Sequence, residues 1–346
     1  CDAGAMNLPS PRTPDPLHAP PLNWGILAPG GFASTMVEAL QRFTRQRVVA
    51  VGSRSAERGA SFAQRFGIGR VHDSYEALVA DPEVDAVYVA SPHSHHREHA
   101  LLAIAAGKHV LVEKAFTRNA AEAREVVDAA RAAGVACVEA MWTRFLPTSD
   151  IVRQLLASGA LGEVETFTAD HGQWFALDPA SRLFAPGLAG GALLDLGVYP
   201  VSYASFVLGA PTGVVARGTL TETGVDRQVS AVLTYASAAQ SVVHTTLAAR
   251  TPTVAAISGS EARIELDGPF YAPGVVRLVT RDGEVRESAP PVIEGHLGLC
   301  HQAAHLAQLV ADGASESPLL PWAETIAVME TLDELRAQVG VRYPGE

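Results

Sequence analysis

The distribution of hydrophobic residues divides the chain into two parts that meet near residue 140. From Leu22 onward, short apolar runs rich in β-branched residues alternate with stretches in which apolar positions recur at helical spacing. The predicted strands lie at 24–28, 48–52, near Val71, at 86–90, at 110–112 and at 135–140, and the predicted helices lie at about 34–45, 56–66, 74–80, 96–106 and 120–133. Strands that are apolar throughout fit a parallel sheet covered on both faces. The first part therefore predicts an α/β Rossmann domain with a doubly wound parallel sheet.

The second part of the chain has a different pattern. A helix is predicted at about 148–158, and strand-like runs follow at 163–171, 213–221, 228–236, 240–248, 253–258 and 262–266. These runs are short, closely spaced and alternating, which is typical of an antiparallel sheet with one solvated face. We therefore expect a first domain over 22–142 and a C-terminal α+β domain over 143–346, built on a large, mostly antiparallel open-faced sheet.

Composition and charge narrow the classes of partner. Hydrophobic residues make up 48% of the 346 residues, and the net charge is −11 without a basic block. This argues against nucleic acid or an anionic membrane surface as a partner. No apolar run approaches the roughly 18 residues of a membrane-spanning helix. Three widely spaced cysteines argue against disulfide bonds and fit a reducing, cytoplasmic compartment.

The first 21 residues contain six prolines and show no periodic pattern. They predict a flexible or extended arm outside the core, in which Gly4-Ala5-Met6 could be the remnant of a tag. A chain that begins with Cys1 is also what a processed lipoprotein would show, so the location of the protein stays open.

A glycine-rich turn follows the first predicted strand and precedes the first predicted helix. In the pattern G-x-G-x-x-G/A, Ala28 occupies the first position, Gly30 the second and Ala33 the third. A glycine at the second position allows a pyrophosphate to approach the helix N-terminus. Gly30, Gly31, Phe32 and Ala33 are therefore candidate contacts of a dinucleotide, although a glycine-rich turn alone is a weak signal.

The second predicted strand ends at Ser53-Arg54-Ser55, where an NAD site usually has an acidic residue for the ribose 2′-hydroxyl. Two hydroxyls and a guanidinium suit a 2′-phosphate instead, through charge-assisted hydrogen bonds. Ser53 and Arg54 thus favour NADP, with NAD as the alternative. The other interpretation is an ordinary turn in which Ser55 caps the next helix.

The strand at 86–90 ends at Ser91 and Pro92, and histidines follow at positions 93, 95, 96 and 99. A metal site needs converging ligands, and no carboxylate or cysteine is well placed beside these histidines. We therefore expect no metal ion. Ser91, Pro92, His93 and His96 are instead expected to line a polar cofactor cleft.

The segment 107–115 reads Gly-Lys-His-Val-Leu-Val-Glu-Lys-Ala, which places Glu113 and Lys114 directly after a buried strand. Ligands bind at the carboxyl edge of open parallel sheets, so a lysine there can reach a substrate oxygen. The alternative is a surface ion pair worth less than about 1 kcal/mol.

The segment 190–200 combines two glycines with the start of a helix that carries Asp195 and Tyr199. Residues four apart share one helix face, so a carboxylate lies one turn from a phenol. Such a pair can orient a substrate hydroxyl or the phenol itself. The alternative is a glycine hinge before a packed helix, with Tyr199 filling the core.

Together these motifs resemble the Gfo/Idh/MocA oxidoreductase family. The resemblance rests on Ala-Gly-Lys-His-Val-Leu-Val-Glu-Lys at 106–114, on Gly-Gly-Ala-Leu-Leu-Asp-Leu-Gly-Val-Tyr-Pro at 190–200, and on the first strand with its glycine turn. The segments 139–147 and 316–321 are similar to the branch of dimeric dihydrodiol dehydrogenases and glucose–fructose-oxidoreductase-like sugar enzymes. The similarity covers about residues 22–344.

The resemblance assigns roles to several residues. Lys114 matches the lysine of the family's Glu-Lys-Pro signature, which contacts the nicotinamide ribose and a substrate oxygen. Tyr199 matches the proposed general acid of the branch, and Asp195 matches the family aspartate. Trp142 and Arg144 are similar to a tryptophan and an arginine near the cofactor.

Two departures from the family pattern are visible. Ala115 replaces the signature proline, which would loosen the turn without removing chemistry. Ala28 replaces a fingerprint glycine, which puts the shape of the pyrophosphate loop in doubt.

The reaction that the resemblance implies is NADP(H)-dependent hydride transfer between nicotinamide and a carbonyl or hydroxyl of a sugar, keto-sugar or related polyol or diol. An unperturbed tyrosine has a pKa near 10, so we expect Lys114 to lower the pKa of Tyr199. The first domain is then the dinucleotide-binding domain, and the second binds the substrate and forms a homodimer or tetramer. Candidate substrate contacts are Trp174, Arg182 and Tyr271, each of which could equally be ordinary packing.

Two alternatives remain open at the level of the sequence. One is a sensor or regulator that binds cofactor and ligand without redox turnover. The other is an enzyme that keeps NAD(P) tightly bound and oxidises its substrate transiently.

Overall fold

The computed structural model describes residues 8–346; Cys1 and the Gly4-Ala5-Met6 segment lie outside the described residues. The first domain contains the strands β1 (Asn23–Leu27), β2 (Arg47–Gly52), β3 (Arg70–His72), β4 (Ala86–Val89), β5 (His109–Val112) and β6 (Cys137–Glu139). All six are parallel, in the order β3-β2-β1-β4-β5-β6. Its helices are α1 (Gly31–Phe43), α2 (Ala56–Phe66), α3 (Tyr75–Ala80), α4 (His96–Ala105) and α5 (Ala120–Ala133). The predicted doubly wound sheet is confirmed.

Three of the five helices of this domain begin at side-chain caps. The Ser55 hydroxyl caps α2, and the Asn119 side chain accepts the Glu122 amide at 3.0 Å to begin α5. Helix α3 is capped by Ser74 and not by Asp73, the first polar residue of this segment. The Ser74 hydroxyl accepts the Ala77 amide at 3.1 Å, because Ser74 has the extended backbone that a capping residue needs.

The second domain contains a mixed sheet of eight strands. These are β7 (Val164–Gly172), β8 (Gly213–Leu220), β9 (Asp226–Thr234), β10 (Gln240–Thr246), β11 (Ala255–Gly259), β12 (Ala262–Leu266), β13 (Val276–Thr280) and β14 (Val285–Glu287). The order is β14-β13-β12-β11-β7-β10-β9-β8, and every pair is antiparallel except β7 with β10. The mostly antiparallel sheet is confirmed, but the hairpin of β13 and β14 was not predicted, although Asp282-Gly283 at its turn is a hairpin signal.

The helices of the second half are α6 (Pro147–Ala157), α7 (Val198–Leu208), α8 (Cys300–Ala311) and α9 (Trp322–Val339). The segment between α8 and α9 closes the β6 edge of the parallel sheet. There the Cys137 amide donates to the Ser315 carbonyl at 3.0 Å, and the Trp322 indole donates to the Cys137 carbonyl at 2.8 Å. The C-terminal helices thus pack against the first domain as well, and the boundary at 142/143 stays a prediction.

The proline content predicted an arm outside the core, but part of the described segment 8–21 packs against the rest of the protein. The Arg12 amide donates to the Asp150 carboxylate at 2.7 Å. Pro16 begins a short 3₁₀ helix and is buried, and Ala19 belongs to the hydrophobic core. Fixed φ angles let this proline-rich segment lie extended against the protein.

One segment, Pro186–Leu208, has the length and composition of a membrane-crossing helix, contrary to the expectation that no apolar run is long enough. In its most apolar window, 78% of the residues are buried inside the protein. Burial of this extent is typical of a core helix, and the segment includes all of α7.

Candidate active site

A cleft of about 370 Å³ lies at the carboxyl ends of β1, β4 and β5. From β1 the strand order runs to β3 on one side and from β4 to β6 on the other, so the sheet has a topological switch point between β1 and β4. Ligands of open α/β sheets bind at such a point. Twelve residues expected at the cofactor line this cleft: Gly30, Gly31, Phe32, Ala33, Ser53, Arg54, Ser91, Pro92, His93, His96, Glu113 and Lys114. Asp195 and Arg182 reach the same cleft from the second domain.

The glycine turn opens directly into the cleft. Gly30 is the N-cap of α1 and offers no side-chain cap, so the first amides of this helix are available to an anion. A Cβ added at Gly30 or Gly31 would meet no protein atom within 4 Å, so it would project into the cleft. Ala28 has a φ of 65°, the left-handed backbone that the fingerprint glycine usually supplies. The turn therefore keeps its shape despite Ala28, and it fits a bound pyrophosphate.

At the end of β2, the cap at Ser55 is confirmed, whereas a 2′-phosphate site at Ser53 and Arg54 stays a prediction. Ser55 accepts the Arg58 amide at 3.3 Å and caps α2, while Ser53 and Arg54 face the cleft. The Arg54 guanidinium lies 5.9 Å from the centroid of the Tyr75 ring. Arg58 lines the cleft as well, so two guanidinium groups border this end of it.

His93 and His96 are buried between backbone carbonyls. The two ring nitrogens of His96 lie 2.9 Å from the Ala115 carbonyl and 2.7 Å from the Ser91 carbonyl. Burial lowers the pKa of His96 to about 4 and that of His93 to about 3. Both rings are thus neutral at pH 7, and each donates one hydrogen bond at a time. They brace the polypeptide that follows β4 and β5.

His93 connects the two domains. One ring nitrogen lies 3.2 Å from the Lys114 carbonyl, and the other lies 3.0 Å from the Ala189 carbonyl in the second domain. The peptide bond between Lys114 and Ala115 is cis.

Glu113 is a buried carboxyl group at the end of β5. Burial raises its pKa to about 7, against the opposing effects of the Tyr88 hydroxyl, which donates to it, and of the Lys114 cation. Glu113 therefore changes its charge near neutral pH while it lines the cleft.

Lys114 and Asp195 meet across the cleft. The Lys114 ammonium donates to the Asp195 main-chain carbonyl at 2.7 Å and lies 3.6 Å from Asp195 Oδ1. The Arg182 guanidinium donates to the same Oδ1 at 2.8 Å. Although burial opposes it, the two cations hold the pKa of Asp195 well below its usual range. Asp195 is therefore an anion at neutral pH.

A π-helical turn, Leu193–Gly197, presents Asp195 just before α7 begins. Such turns are frequent at functional sites because they displace side chains from the regular helical spacing. The buried Asp226 carboxylate accepts the Leu193 amide at 2.5 Å. A Cβ at Gly191 would lie 2.0 Å from Asp226 Oδ1, so a side chain there would expel this anchor. The glycines thus serve a close approach rather than a hinge.

Tyr199 is buried directly behind Lys114. The Lys114 ammonium lies 5.1 Å from the centroid of the Tyr199 ring, and the Trp142 indole N–H donates to the Tyr199 hydroxyl at 3.1 Å. Tyr271 stacks on the same ring at a centroid distance of 4.5 Å. Burial, reinforced by the Glu113 carboxylate, raises the pKa of Tyr199 well above 10. The expectation that Lys114 lowers the pKa of Tyr199 is therefore wrong for this structure.

Five predicted site residues do not line the cleft: Tyr199, Trp142 and Tyr271 pack against one another in the interior beside it, and two others lie elsewhere. The Arg144 guanidinium is buried in an ion pair with Glu324, at 2.7 and 3.0 Å, and does not line the cleft. Trp174 is 59% exposed and borders a different concavity, beside Phe175 and Leu220. In both cases the local sequence resembles a site, but the fold turns the side chain away.

Sequence reasoning missed several cleft residues. Arg58 lies in the first turn of α2, four residues after Arg54, and this proximity in sequence could have identified it. His95 and His99 also line the cleft and belong to the histidine cluster of the sequence, but they were not assigned to the cofactor. Tyr75, at the start of α3, gave no distinct signal. His171 packs against Tyr199 and Tyr271 at centroid distances of 5.4 and 4.6 Å, at the end of a strand that the sequence presents as ordinary.

Within residues 8–346, no group of three or more His, Cys, Asp or Glu side chains is arranged to hold a metal ion. The ionisable groups at the two ends of the cleft are instead two arginines at one end and a lysine, an arginine and the carboxyl groups of Glu113 and Asp195 at the other. This distribution suits a long ligand with phosphate at one end and a reacting group at the other.

Comparison with known proteins agrees with this geometry. One family model, described as an oxidoreductase family with an NAD-binding Rossmann fold, matches residues 22–141, and a second, described as the GFO/IDH/MocA C-terminal domain, matches residues 150–265. Trans-1,2-dihydrobenzene-1,2-diol dehydrogenase from Mus musculus is 37% identical over 333 residues, which cover 93% of this chain and 98% of that protein. D-xylose 1-dehydrogenase (NADP(+)) from Hypocrea jecorina is 38% identical over 366 residues, which cover 93% of each protein.

Among solved structures, levoglucosan dehydrogenase in complex with NADH and levoglucosan matches with a TM-score of 0.83. Its sequence is 22% identical, and the match covers 93% of this chain and 98% of that one. At this level of identity, the likeness concerns the fold.

Proposed function

Because the chain belongs to the Gfo/Idh/MocA family of NAD(P)-dependent oxidoreductases, we propose that it transfers a hydride between NADP(H) and a sugar, keto-sugar or related polyol. The single observation that carries this proposal is the convergence of Lys114 from the first domain with Asp195 and Tyr199 from the second, beside the glycine turn. The structure joins the ammonium to the Asp195 carbonyl at 2.7 Å and places it 5.1 Å from the phenol ring centroid.

The preference for NADP is supported by the end of β2. Ser53, Arg54 and Arg58 border the cleft there, and none of the three is acidic. A 2′-phosphate would receive charge-assisted hydrogen bonds at this place, whereas an NAD ribose usually meets an acidic residue. The xylose dehydrogenase carries NADP(+) in its name, while the levoglucosan dehydrogenase structure holds NADH, so NAD is the alternative.

When bound, the nicotinamide supplies or accepts the hydride. In the direction of reduction, the Tyr199 hydroxyl donates its proton to the carbonyl oxygen as that oxygen becomes an alkoxide. The Lys114 ammonium stabilises the negative charge on the same oxygen, because it has two hydrogen-bond donors left after its bond to the Asp195 carbonyl. Asp195 accepts a hydrogen bond from a neighbouring substrate hydroxyl and so orients the reacting carbon.

The proposed substrate class follows from the chemistry at this end of the cleft. A cation, a carboxylate and a phenol side by side suit a molecule with several hydroxyl groups more than an apolar one. The named substrates of the relatives, a dihydrodiol and a pentose, are both vicinal diols. In this proposal Tyr271 forms a wall of the substrate region rather than a polar contact, which its stacking on Tyr199 supports.

A homo-oligomer and a cytoplasmic location complete the proposal. Val215, Val232 and Val242 lie opposite one another on β8, β9 and β10, and they are 61%, 37% and 46% exposed. A second copy of the chain would cover this row. The thiols of Cys137 and Cys300 are both buried and free, which suits a reducing compartment.

Kinetics with a defined panel would test the proposed function. Purified protein is assayed for NADPH oxidation with keto-sugars and aldoses, and for NADP⁺ reduction with sugars, polyols and a trans-dihydrodiol. We expect turnover with at least one polyhydroxy substrate, and a loss of roughly 100-fold or more in kcat for Lys114→Met. Lys108→Met is the matched control, since the Lys108 ammonium donates to the Asp81 and Val84 carbonyls away from the cleft.

Three other results would each contradict the proposal in a distinct way. Cofactor binding without turnover on any carbonyl or hydroxyl compound would favour a sensor. Cofactor that survives purification and is not consumed in stoichiometric amounts would favour transient oxidation of the substrate. Normal turnover of Lys114→Met would remove Lys114 from the chemistry.

A further inference from the structure

We infer that Arg182 is a positioning residue that takes up the charge of Asp195 and thereby leaves the Lys114 ammonium free to act on the reacting oxygen. This inference rests on the proposed function, because the reacting oxygen belongs to its substrate. It gives Arg182 a role different from direct contact with the substrate.

Two cations, Arg182 and Lys114, lie near the same oxygen atom, Oδ1 of Asp195. Arg182 donates to Asp195 Oδ1 at 2.8 Å, whereas Lys114 stays 3.6 Å from the same atom, beyond hydrogen-bond distance. The Lys114 ammonium instead donates to the Asp195 main-chain carbonyl at 2.7 Å. Its two other hydrogens have no acceptor among residues 8–346. The only hydrogen bond of the ammonium is thus to a neutral dipole, and its attraction to the Asp195 carboxylate is shared with Arg182.

Removal of Arg182 would change this balance. The Asp195 side chain is only 7% exposed, so its charge would remain in a region of low polarity with Lys114 as the nearest cation. A buried charge without a partner is strongly unfavourable, and a movement of less than 1 Å would bring the ammonium to Oδ1. Lys114 would then form a closed ion pair, which would weaken its electrostatic help to the substrate oxygen. With Arg182 present, the three groups carry one net positive charge.

Arg182 is held in place by its backbone, although its side chain is 52% exposed. The Gly191 amide donates to the Leu183 carbonyl at 2.9 Å, and the Tyr343 hydroxyl donates to the Gly190 carbonyl at 2.6 Å. A Cβ at Gly190 would lie 2.6 Å from the carbonyl oxygens of Arg182 and Leu183. The backbone at Arg182 and Leu183 therefore packs directly against the backbone at Gly190 and Gly191. This contact directs the Arg182 guanidinium to Asp195.

The composition of the chain allows a direct test. Its only two lysines are Lys108 and Lys114. Protein labelled with ¹⁵N at the lysine Nζ therefore gives two lysine side-chain signals, and Lys108→Met assigns them. Lys108, bonded to two carbonyls at 3.0 and 2.7 Å, serves as an internal reference.

We expect Arg182→Gln to shift the Lys114 signal and leave the Lys108 signal unchanged. Arg182→Lys, which keeps a cation at Oδ1 and adds a third lysine signal, should restore most of the wild-type shift of the Lys114 signal. Arg281→Gln, an exposed arginine on the β13–β14 hairpin, is the matched control and should move neither signal. A Lys114 signal that is the same in wild type and Arg182→Gln would overturn the inference, whether or not any substrate is turned over.

The kinetic readout separates positioning from substrate contact. With an accepted substrate, we expect Arg182→Gln to lower kcat roughly 10- to 100-fold while the KM for NADPH changes less than about twofold. Partial recovery of kcat in Arg182→Lys would support positioning. A large rise in the KM for substrate with kcat unchanged would instead identify Arg182 as a substrate contact. Absence of turnover in the wild type would contradict the proposed function, and the NMR result would still decide whether Arg182 sets the pairing of Lys114.

Discussion

The Trp142 indole N–H lies 3.1 Å from the Tyr199 hydroxyl oxygen, and both side chains are buried. An indole N–H can only donate, so the phenol oxygen accepts this hydrogen bond and the proton of the phenol remains free for another acceptor. The indole is fixed in turn by His296, whose ring stacks on it at a centroid distance of 5.4 Å and an interplanar angle of 17°. Trp142 thus determines where the acidic proton of Tyr199 points.

We therefore expect Trp142→Phe to slow the proton transfer from Tyr199 while binding of the cofactor is largely retained. The phenyl ring keeps the stacking on His296 but removes the donor, so the phenol rotates among several positions. We expect kcat to fall roughly 5- to 50-fold with a smaller change in the KM for NADPH, measured by steady-state kinetics. Trp322→Phe is the control, because the Trp322 indole donates to the Cys137 carbonyl in the core, remote from the cleft. An unchanged kcat in Trp142→Phe would show that the phenol is oriented by other groups.

The pH dependence that Tyr199 confers should differ between the two reaction directions. Because the pKa of Tyr199 is raised well above 10, the phenol stays protonated through the neutral range and serves as an acid. Reduction should therefore not lose rate through Tyr199 between pH 6 and about pH 9, whereas oxidation needs the phenolate and should rise by about tenfold per pH unit. Parallel pH profiles of kcat/KM would measure this. Tyr271→Phe should keep the slope and Tyr199→Phe should lose it; a slope that persists in Tyr199→Phe would assign the proton to another group.

The discrimination between NADP and NAD should depend on Arg54 and Arg58. Both guanidinium groups border the cleft at the end of β2, where the proposed 2′-phosphate would lie. We expect Arg54→Gln with Arg58→Gln to raise the KM for NADP⁺ roughly 10- to 100-fold and to change the KM for NAD⁺ little. Arg65→Gln is the control on the same helix, since that guanidinium stacks on Phe66 at 4.8 Å. Equal effects on both cofactors would mean that these arginines do not recognise the phosphate.

Much of the cleft could be predicted because parallel strands bring their carboxyl ends to one edge. Ser53, Ser91 and Lys114 follow three different strands, and strand order alone makes them neighbours. Arg144 could not be placed in this way. Its partner Glu324 lies 180 residues further along the chain, in a helix that packs from the other side, and no local pattern encodes that pairing.

The pKa shifts of the site residues are the property that the local sequence predicts least well. The expectation for Tyr199 considered one neighbouring cation, but burial and the Glu113 charge decide the direction of the pKa shift. Burial of Glu113 itself depends on Tyr88 and on both domains closing over the strand end. These are properties of the assembled core, which motifs do not contain.

The row of exposed valines should hold a second copy of the chain. Val232 lies in the centre of the row, opposite Val215 and Val242. Val232→Glu would bury a charge in that contact, so we expect the molar mass measured by light scattering after gel filtration to fall to that of a monomer. Val285→Glu, an equally exposed position near the opposite edge of the sheet, should not change the mass. A monomeric wild type, or an oligomer that tolerates Val232→Glu, would contradict this assignment.

Glu139 should make the protein less stable as the pH rises. Its carboxylate, at the end of β6, accepts the Phe116 amide at 3.2 Å, and burial raises its pKa to about 7 from an ordinary 4.5. The folded protein therefore holds this proton over a range in which the unfolded chain has lost it. Stability must fall as the pH rises from about 4.5 to 7, and the full loss persists above 7.

Glu139→Gln removes this titration while keeping an acceptor for the Phe116 amide. At pH 5 the variant should have nearly the stability of the wild type, and at pH 8 it should be more stable by up to about 3 kcal/mol. Urea unfolding at both pH values measures the difference, and comparison between the two proteins cancels the contribution of the buried histidines, which titrate in both. Glu330→Gln, at an exposed carboxylate on α9, should give no pH-dependent difference. If Glu139→Gln were instead less stable than the wild type at pH 8, the buried carboxylate would be held by compensating charges, and the raised pKa of Glu139 would be wrong.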